Sequence, residues 1–312
     1  MSSWQSCRRY SELEKKICGV LRYQESMALH TSFRVGGPAE IFIIPSCTDE
    51  VQEIVYFASH HGLPIQIMGM GSNLLVSDEG LRGIVLKIAS PLDGVAFEDH
   101  QVTAEAGLKC IRLIAQCFRH KLHGLDFLSG IPGTLGGAVA MNAGAFGHAI
   151  SDRLHSALVY DQEALDWQIF YSKDFQFSYR DSLIQKSNRY VLLQITLDLV
   201  PGMEKDEITR IREKLIKRKL TQPLQYPNAG CIWKNPPGNS AGKIIEELGL
   251  KGYCYGHARI SELHGNFIIH DGSSNAGEIF ALIKLVEEHV YQGTGIQLER
   301  EIKILGNFGF KF

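Results

Sequence analysis

The chain has 312 residues, 45% of them apolar, and its 32 Lys+Arg against 34 Asp+Glu leave a formal net charge of -2. That length accommodates two or three packed subdomains, and the interspersed charges provide no basic face for nucleic acid. Met1 to Lys16 is polar and lacks an apolar signal core, and no later stretch reaches the roughly 18 apolar residues of a membrane span, so a cytoplasmic protein with no membrane partner is expected.

In chain order, a β-rich run from Ala39 to Pro45 leads to a helix opened near Thr48 or Asp49 and closed before Gly62. A strand from Pro64 to Met68 then enters the glycine turn Gly69-Met70-Gly71-Ser72-Asn73, and a further extended stretch runs from Gly83 to Ile88. The next helix places Ile111, Ile114, Cys117 and Phe118 on one side and is stopped by Gly124, before strands near 157 to 171 and 189 to 200. Pro201-Gly202 marks a boundary. Beyond it come a basic helix from about Asp206 to Leu220, a short helix after Ser240 ending at Gly249, and a longer helix capped by Asn275 with Glu278 at capping-box spacing. Met1 to Leu21 is compatible with a packed helix or a mobile extension.

The cysteines at 7, 18, 47, 110, 117, 231 and 254 form no C-x-x-C pair and are odd in number, so neither a zinc ribbon nor a disulfide framework is suggested. Most are expected to be small buried side chains. Cys117, His120 and His123 are the one ligand-like grouping, without a fourth partner nearby, and no metal is expected; His60-His61 is likewise read as a helix end.

Six glycines fall between Gly130 and Gly147, a density that secondary structure alone disfavours. Such segments serve as tight turns and packing contacts, or as backbone wrapped around a pyrophosphate, which Gly69 to Asn73 could complete. Neither segment is a G-x-G-x-x-G fingerprint or a Walker A loop, so any dinucleotide is held by another fold.

These segments stand beside His30-Thr-Ser-Phe-Arg-Val-Gly-Gly37, Phe177-Ser-Tyr-Arg-Asp-Ser182, Asn228-Ala-Gly-Cys-Ile-Trp-Lys-Asn-Pro236 and Leu298-Glu-Arg-Glu-Ile-Lys-Ile-Leu-Gly306. Together they resemble the UDP-N-acetylenolpyruvoylglucosamine reductases, in the family's order from about residue 28 to 306. The short span from Arg180 to Asn228 resembles the compact type II branch. The resemblance implies an α+β chain: a two-lobed FAD-binding region of the vanillyl-alcohol-oxidase-like type plus a C-terminal α+β substrate lobe. The expected divisions are an N-terminal extension at 1–25, FAD-binding lobes at 26–88 and 89–202, and a substrate lobe at 203–312. It also implies NADPH as reductant of bound FAD, a UDP-sugar enolpyruvyl ether as substrate, and a monomer.

Carried onto this sequence, the resemblance assigns cofactor binding to Gly69, Gly71, Ser72, Asn73, Leu74, Gly133, Thr134, Gly136, Gly137, Asn142, Ala143 and Gly144. Hydride transfer to an enolpyruvyl group leaves an enolate-like anion, so the protein must stabilise charge and donate a proton. Arg180 matches the family arginine, whose fork engages a carboxylate, with an ion pair to Asp181 as its structural reading. Glu301 matches the family carboxylate, and Glu299 shares its strand face as the bland candidate. At Cys231 the chain departs from the family, which usually carries a serine proton donor. A thiol of ordinary pKa near 8.5 is the stronger acid, yet a nearby Arg or Lys could leave it as thiolate. Tyr179, Lys219, Lys234 and Asn235 are assigned to substrate, whereas Lys217 and Arg218 are read as solvated charge. The rivals are an FAD-linked alcohol oxidase, which needs a different C-terminal lobe, and an inactive nucleotide-binding relative.

Overall fold

Alternating apolar residues along Leu154–Asp161 and Tyr190–Asp198 make these strands the centre of a five-stranded antiparallel sheet. Its order is Asp166–Tyr171, Leu154–Asp161, Tyr190–Asp198, Gln101–Glu105 and Val95–Glu98. The computed structural model describes residues 10–202 and 206–309. The chain divides into two units, the first formed by Met1–Gln24, Glu40–Met70 and Arg82–Arg212, the second by Glu25–Ala39, Gly71–Leu81 and Glu213–Phe312.

The first unit contains the five-stranded sheet and most of a four-stranded one ordered Val20–Ser26, Pro38–Ile44, Leu81–Lys87 and Ile65–Met68. The last two run parallel, with Ile65 opposite Ile84. The helix Thr48–His61 covers the core with Val51, Ile54, Val55 and Ala58 and ends at Gly62 in the left-handed conformation, as its sequence requires. In the helix Cys110–Arg119 the buried side is Cys110, Leu113, Ile114 and Cys117, while Ile111 is exposed. The predicted stripe is therefore off by one residue at its start, because the helix begins at Cys110 and its a/d spacing runs from there. It ends before Lys121, whose positive φ turns the chain ahead of Gly124. The predicted extended run at 157 to 171 is a hairpin whose register joins Asp161 to Asp166, with Leu165 at positive φ in the turn. Cys7 and the rest of residues 1–9 lie outside the described residues, whereas Ser11–Lys16 is a helix that buries Leu13, with Tyr10 beside it in the core.

The second unit is organised by the helix Ala276–Thr294, which buries Ile279, Leu282, Ile283, Val286 and Val290. Asn275 caps it by accepting the Glu278 amide at 2.8 Å, as its sequence position predicts. The reciprocal half of the capping box is absent: the Glu278 carboxylate takes Ser274 Oγ at 3.0 Å and the His257 amide at 3.1 Å. The carboxylate of Asp78 instead accepts the Ala276 and Gly277 amides at 3.0 and 2.9 Å, a cap invisible in sequence because it comes from a distant segment. The short strand Leu74–Val76 pairs in parallel with Lys303–Leu305.

Two further expectations are corrected. Of the described cysteines only Cys110 and Cys117 are buried; Cys18, Cys47 and Cys254 are exposed, since they sit at a loop, a helix N-cap and the edge of a two-residue strand. Glu299 and Glu301 do not share a strand face, because the strand starts only at Lys303 and the backbone before it is irregular. Among the described residues no helix is long and apolar enough to cross a membrane.

Candidate active site

In the first unit the two glycine segments meet. A Cβ on Gly69 would lie 2.6 Å from Thr134 Oγ1, so only glycine permits this approach. Thr134 caps the six-residue helix Leu135–Ala140, its hydroxyl accepting the Gly137 amide at 3.3 Å. The Leu135 and Gly136 amides donate to Leu108 O and Ala106 O, each at 2.8 Å, and a Cβ on Gly136 would stand 2.9 Å from Ala106 Cβ. Gly136 thus serves close packing, and the Gly136 and Gly137 amides are already engaged, while Gly130 and Gly133 hold left-handed backbone that other residues rarely adopt. The Cβ sides of Gly69 and Gly136 are thus taken up by protein atoms, whereas a Cβ on Gly137 would meet only Thr134 Oγ1, at 3.5 Å.

Asn142 is buried, and both ends of its amide are engaged within the protein: Nδ2 donates to Ser178 O at 2.9 Å and Oδ1 accepts the Ser151 amide at 3.3 Å. It therefore fastens the glycine segment to the turn carrying Arg180. Ser178 and Asp181 exchange backbone hydrogen bonds at 3.1 and 3.2 Å, and between them Arg180 adopts φ 55°. A non-glycine residue in this region stores on the order of 1–3 kcal/mol, retained only where the surroundings dictate the conformation. They do so here. Ser182, fully buried, donates Oγ–H to Ala140 O at 2.6 Å, and Arg180 Nη2 donates to Gly144 O at 2.6 Å. Tyr179 is exposed, with the Arg180 guanidinium carbon 5.4 Å from its ring centre. Asp181 pairs with Lys186 at 3.0 Å.

In the second unit, Cys231 and Glu301 stand on backbone segments that touch. The Glu301 amide donates to Ile232 O at 2.8 Å, and Trp233 and Arg300 form a bridge. Asn73 Nδ2 donates to Glu301 O at 2.9 Å while Asn73 O accepts the Lys303 amide at 3.1 Å, so the end of the first glycine turn is tied to the catalytic candidate. Leu74 then starts the strand that pairs with Lys303. Cys231 is half-buried. Burial holds the Arg218 guanidinium below its ordinary pKa, and Cys231 lies within its electrostatic reach. Arg218 is accordingly not the solvated charge that its sequence context suggested; the helix turns it inward. Lys219 is exposed. Lys234 is mostly buried and its Nζ lies 2.6 Å from exposed Glu299. Asn235 Oδ1 accepts the Ala241 amide at 3.1 Å, capping the helix Ala241–Glu247. Trp233 is fully buried, its indole N–H donating to Glu287 at 3.1 Å, and Arg300 holds the same carboxylate in a fork at 2.6 and 2.7 Å.

Sequence reasoning missed Arg218, the half-buried Lys303 whose pKa burial pushes down, and Asn266. Only for Lys303 was there a signal, its alternation with Glu301 in the last motif. Among the described residues no group of three or more His, Cys, Asp or Glu is placed to hold a metal ion. Burial pushes the Cys117 thiol up to about 12, and His120 stacks on Phe97 at 3.8 Å.

Residues 39–164 match the family model of an FAD binding domain, and residues 222–305 that of the UDP-N-acetylenolpyruvoylglucosamine reductase C-terminal domain. The chain is 41% identical over 301 residues to the UDP-N-acetylenolpyruvoylglucosamine reductase of Alkaliphilus oremlandii, covering 96% of this chain and 98% of that protein. With the Bacillus subtilis reductase it shares 38% over 296 residues, 95% and 97% of the two chains. A solved UDP-N-acetylenolpyruvylglucosamine reductase from Thermus caldophilus matches with a TM-score of 0.79 at 31% identity, covering 92% of this chain and 100% of that one. With both the FAD binding domain and the reductase's C-terminal domain present, and the alignments running nearly end to end, the chain belongs to the UDP-N-acetylenolpyruvoylglucosamine reductase family.

Proposed function

We propose that this protein reduces UDP-N-acetylglucosamine enolpyruvate to UDP-N-acetylmuramate, with NADPH as reductant and FAD as bound cofactor, in peptidoglycan precursor synthesis. The observation that carries the reading is the C-terminal domain match at 222–305, which contains both Cys231 and Glu301 and argues against an alcohol oxidase. A cytoplasmic monomer is proposed, with roles in cell shape, cell cycle and division following from precursor supply. The lobe boundaries near residues 25, 88 and 202 belong to the same proposal.

When bound, FAD supplies a hydride to the terminal carbon of the enolpyruvyl group. The chain's own residues then have two tasks. The guanidinium fork of Arg180 and the carboxyl group of Glu301 stabilise negative charge on the substrate's carboxylate and enolate oxygens. The Cys231 thiol donates its proton to the adjacent carbon and is reprotonated from water, leaving a lactyl ether. Tyr179, Lys219, Lys234 and Asn235 are proposed to bind substrate, and the residues at 69, 71–74, 133–134, 136–137 and 142–144 to enclose the cofactor. Through their packing and turn geometry, several of the latter act by shape. Purified protein is expected to show flavin absorption that NADPH bleaches anaerobically and that returns on adding the enolpyruvyl ether. Bleached flavin that stays bleached would reject the assigned reaction, and an absence of flavin would reject the cofactor.

A further inference from the structure

Asn266 is 2% exposed and lies on the loop before the strand Ile268–Ile269. Its Oδ1 accepts the Ile232 amide at 3.1 Å and the Trp233 amide at 2.9 Å, and its Nδ2 donates to Trp233 O at 2.8 Å. Its own carbonyl accepts the Ile232 amide at 3.0 Å. One side chain therefore closes three hydrogen bonds on the two residues that follow Cys231. The intervening carbonyl, Ile232 O, accepts the Glu301 amide at 2.8 Å and the Ile302 amide at 3.3 Å. On the other side of Cys231 stands Gly230, at φ 77°, with its amide bound to Asn228 Oδ1 at 3.0 Å. The backbone at Gly230 is a flexible type held by one bond, whereas beyond Cys231 it is fixed by Asn266.

We infer that Asn266 is a positioning residue: by clamping Ile232 and Trp233 it sets the place of the Cys231 thiol relative to Glu301. The inference rests on the proposed roles of those two residues. A buried amide with both polar ends used on one dipeptide is a specific arrangement, since an apolar side chain of that size would remove the partner of the Trp233 N–H and of the Trp233 carbonyl, while the Ile232 N–H keeps the Asn266 backbone carbonyl. Displacement of a reacting group by about 1 Å can cost on the order of 100-fold in rate, so the clamp matters to proton delivery more than to cofactor reduction.

The test compares Asn266→Ala and Asn266→Asp with the unaltered flavin-loaded protein. The Asp variant retains both acceptor contacts and replaces the donor facing Trp233 O by an acceptor oxygen, which adds a buried carboxylate. Three rates are read: flavin reduction by NADPH, flavin reoxidation by the enolpyruvyl ether, and alkylation of individual cysteines by iodoacetamide, resolved by peptide mass spectrometry. The expected result is flavin reduction within about twofold, reoxidation slowed at least about tenfold, and Cys231 alkylation altered at least about fivefold while exposed Cys254 is unchanged. Folded variants in which Cys231 alkylates at its original rate would overturn the inference, as would loss of folding in both variants, which would assign Asn266 to stability alone. Should the unaltered protein fail to reduce the ether, the reaction assignment falls, and the Cys231 alkylation comparison still decides whether Asn266 holds the thiol.

Discussion

A thiol where a hydroxyl is usual changes what the site is vulnerable to. As proton donor, Cys231 must be a thiol, whereas alkylation and oxidation attack the thiolate. Iodoacetamide is therefore expected to abolish reoxidation of the reduced flavin by substrate and to leave NADPH-driven reduction intact, and Cys231→Ser is expected to retain turnover and resist the reagent. Modified Cys231 with unchanged turnover would remove it from the reaction. The inert controls are Cys110 and Cys117, whose thiols burial pushes up to about 12. Arg218 carries a testable pH dependence. A cation near a thiol favours the thiolate, the form unable to donate, so removing Arg218 is expected to raise the alkaline limb of turnover. Arg218→Met should move that limb to higher pH, measured from kcat profiles, and an unmoved limb would separate the two residues. Cys231 was legible in the sequence because its motif is contiguous. Arg218 was not, because whether a cation on a basic helix faces solvent depends on packing that its own periodicity does not encode.

The elements around Arg180 show how a strained turn is kept. Asn142, Ser182 and Gly144 O hold it from three directions, and removing one buried hydrogen bond costs about 1–3 kcal/mol where a partner is left unpaired. Ser182→Ala, which orphans Ala140 O, is expected to lower unfolding stability by about that amount in a denaturant titration. Arg180→Lys removes the fork while preserving charge, and substrate reduction is expected to fall on the order of 100-fold with flavin content unchanged. Equal loss of flavin would instead make Arg180 part of the cofactor site. At the hairpin end, Arg189 bonds buried Asp161 at 2.7 and 2.6 Å and holds its carboxyl at a pKa of about 2. A depressed carboxylate contributes stability above its unfolded pKa near 4, and that contribution fades as pH falls toward 2. Asp161→Asn should flatten the acid limb of Tm against pH in that window. Helices with a clear stripe and a glycine stop, such as Thr48–His61, were readable almost to the residue. The Asp78 cap and the Asn142 bracket were not, since each joins segments far apart in the chain.

At the scale of the whole chain, the alternation of helical and extended patterns was sufficient for the α+β class, and the ordered motifs that resemble the reductase family were sufficient for the FAD binding domain and the reductase C-terminal domain, because these rest on many residues at once. The division of the chain into two units that each draw on separate stretches was not legible, because periodicity reports local structure and is silent about which stretches share a core. Glu25–Ala39 and Gly71–Leu81 belong with the C-terminal residues although they precede the five-stranded sheet in sequence. The most direct test of the central claim is NADPH oxidation followed anaerobically with and without UDP-N-acetylglucosamine enolpyruvate. Consumption that requires the enolpyruvyl ether and matches its conversion to UDP-N-acetylmuramate is the predicted result. Flavin reduction followed by no ether-dependent consumption would contradict it.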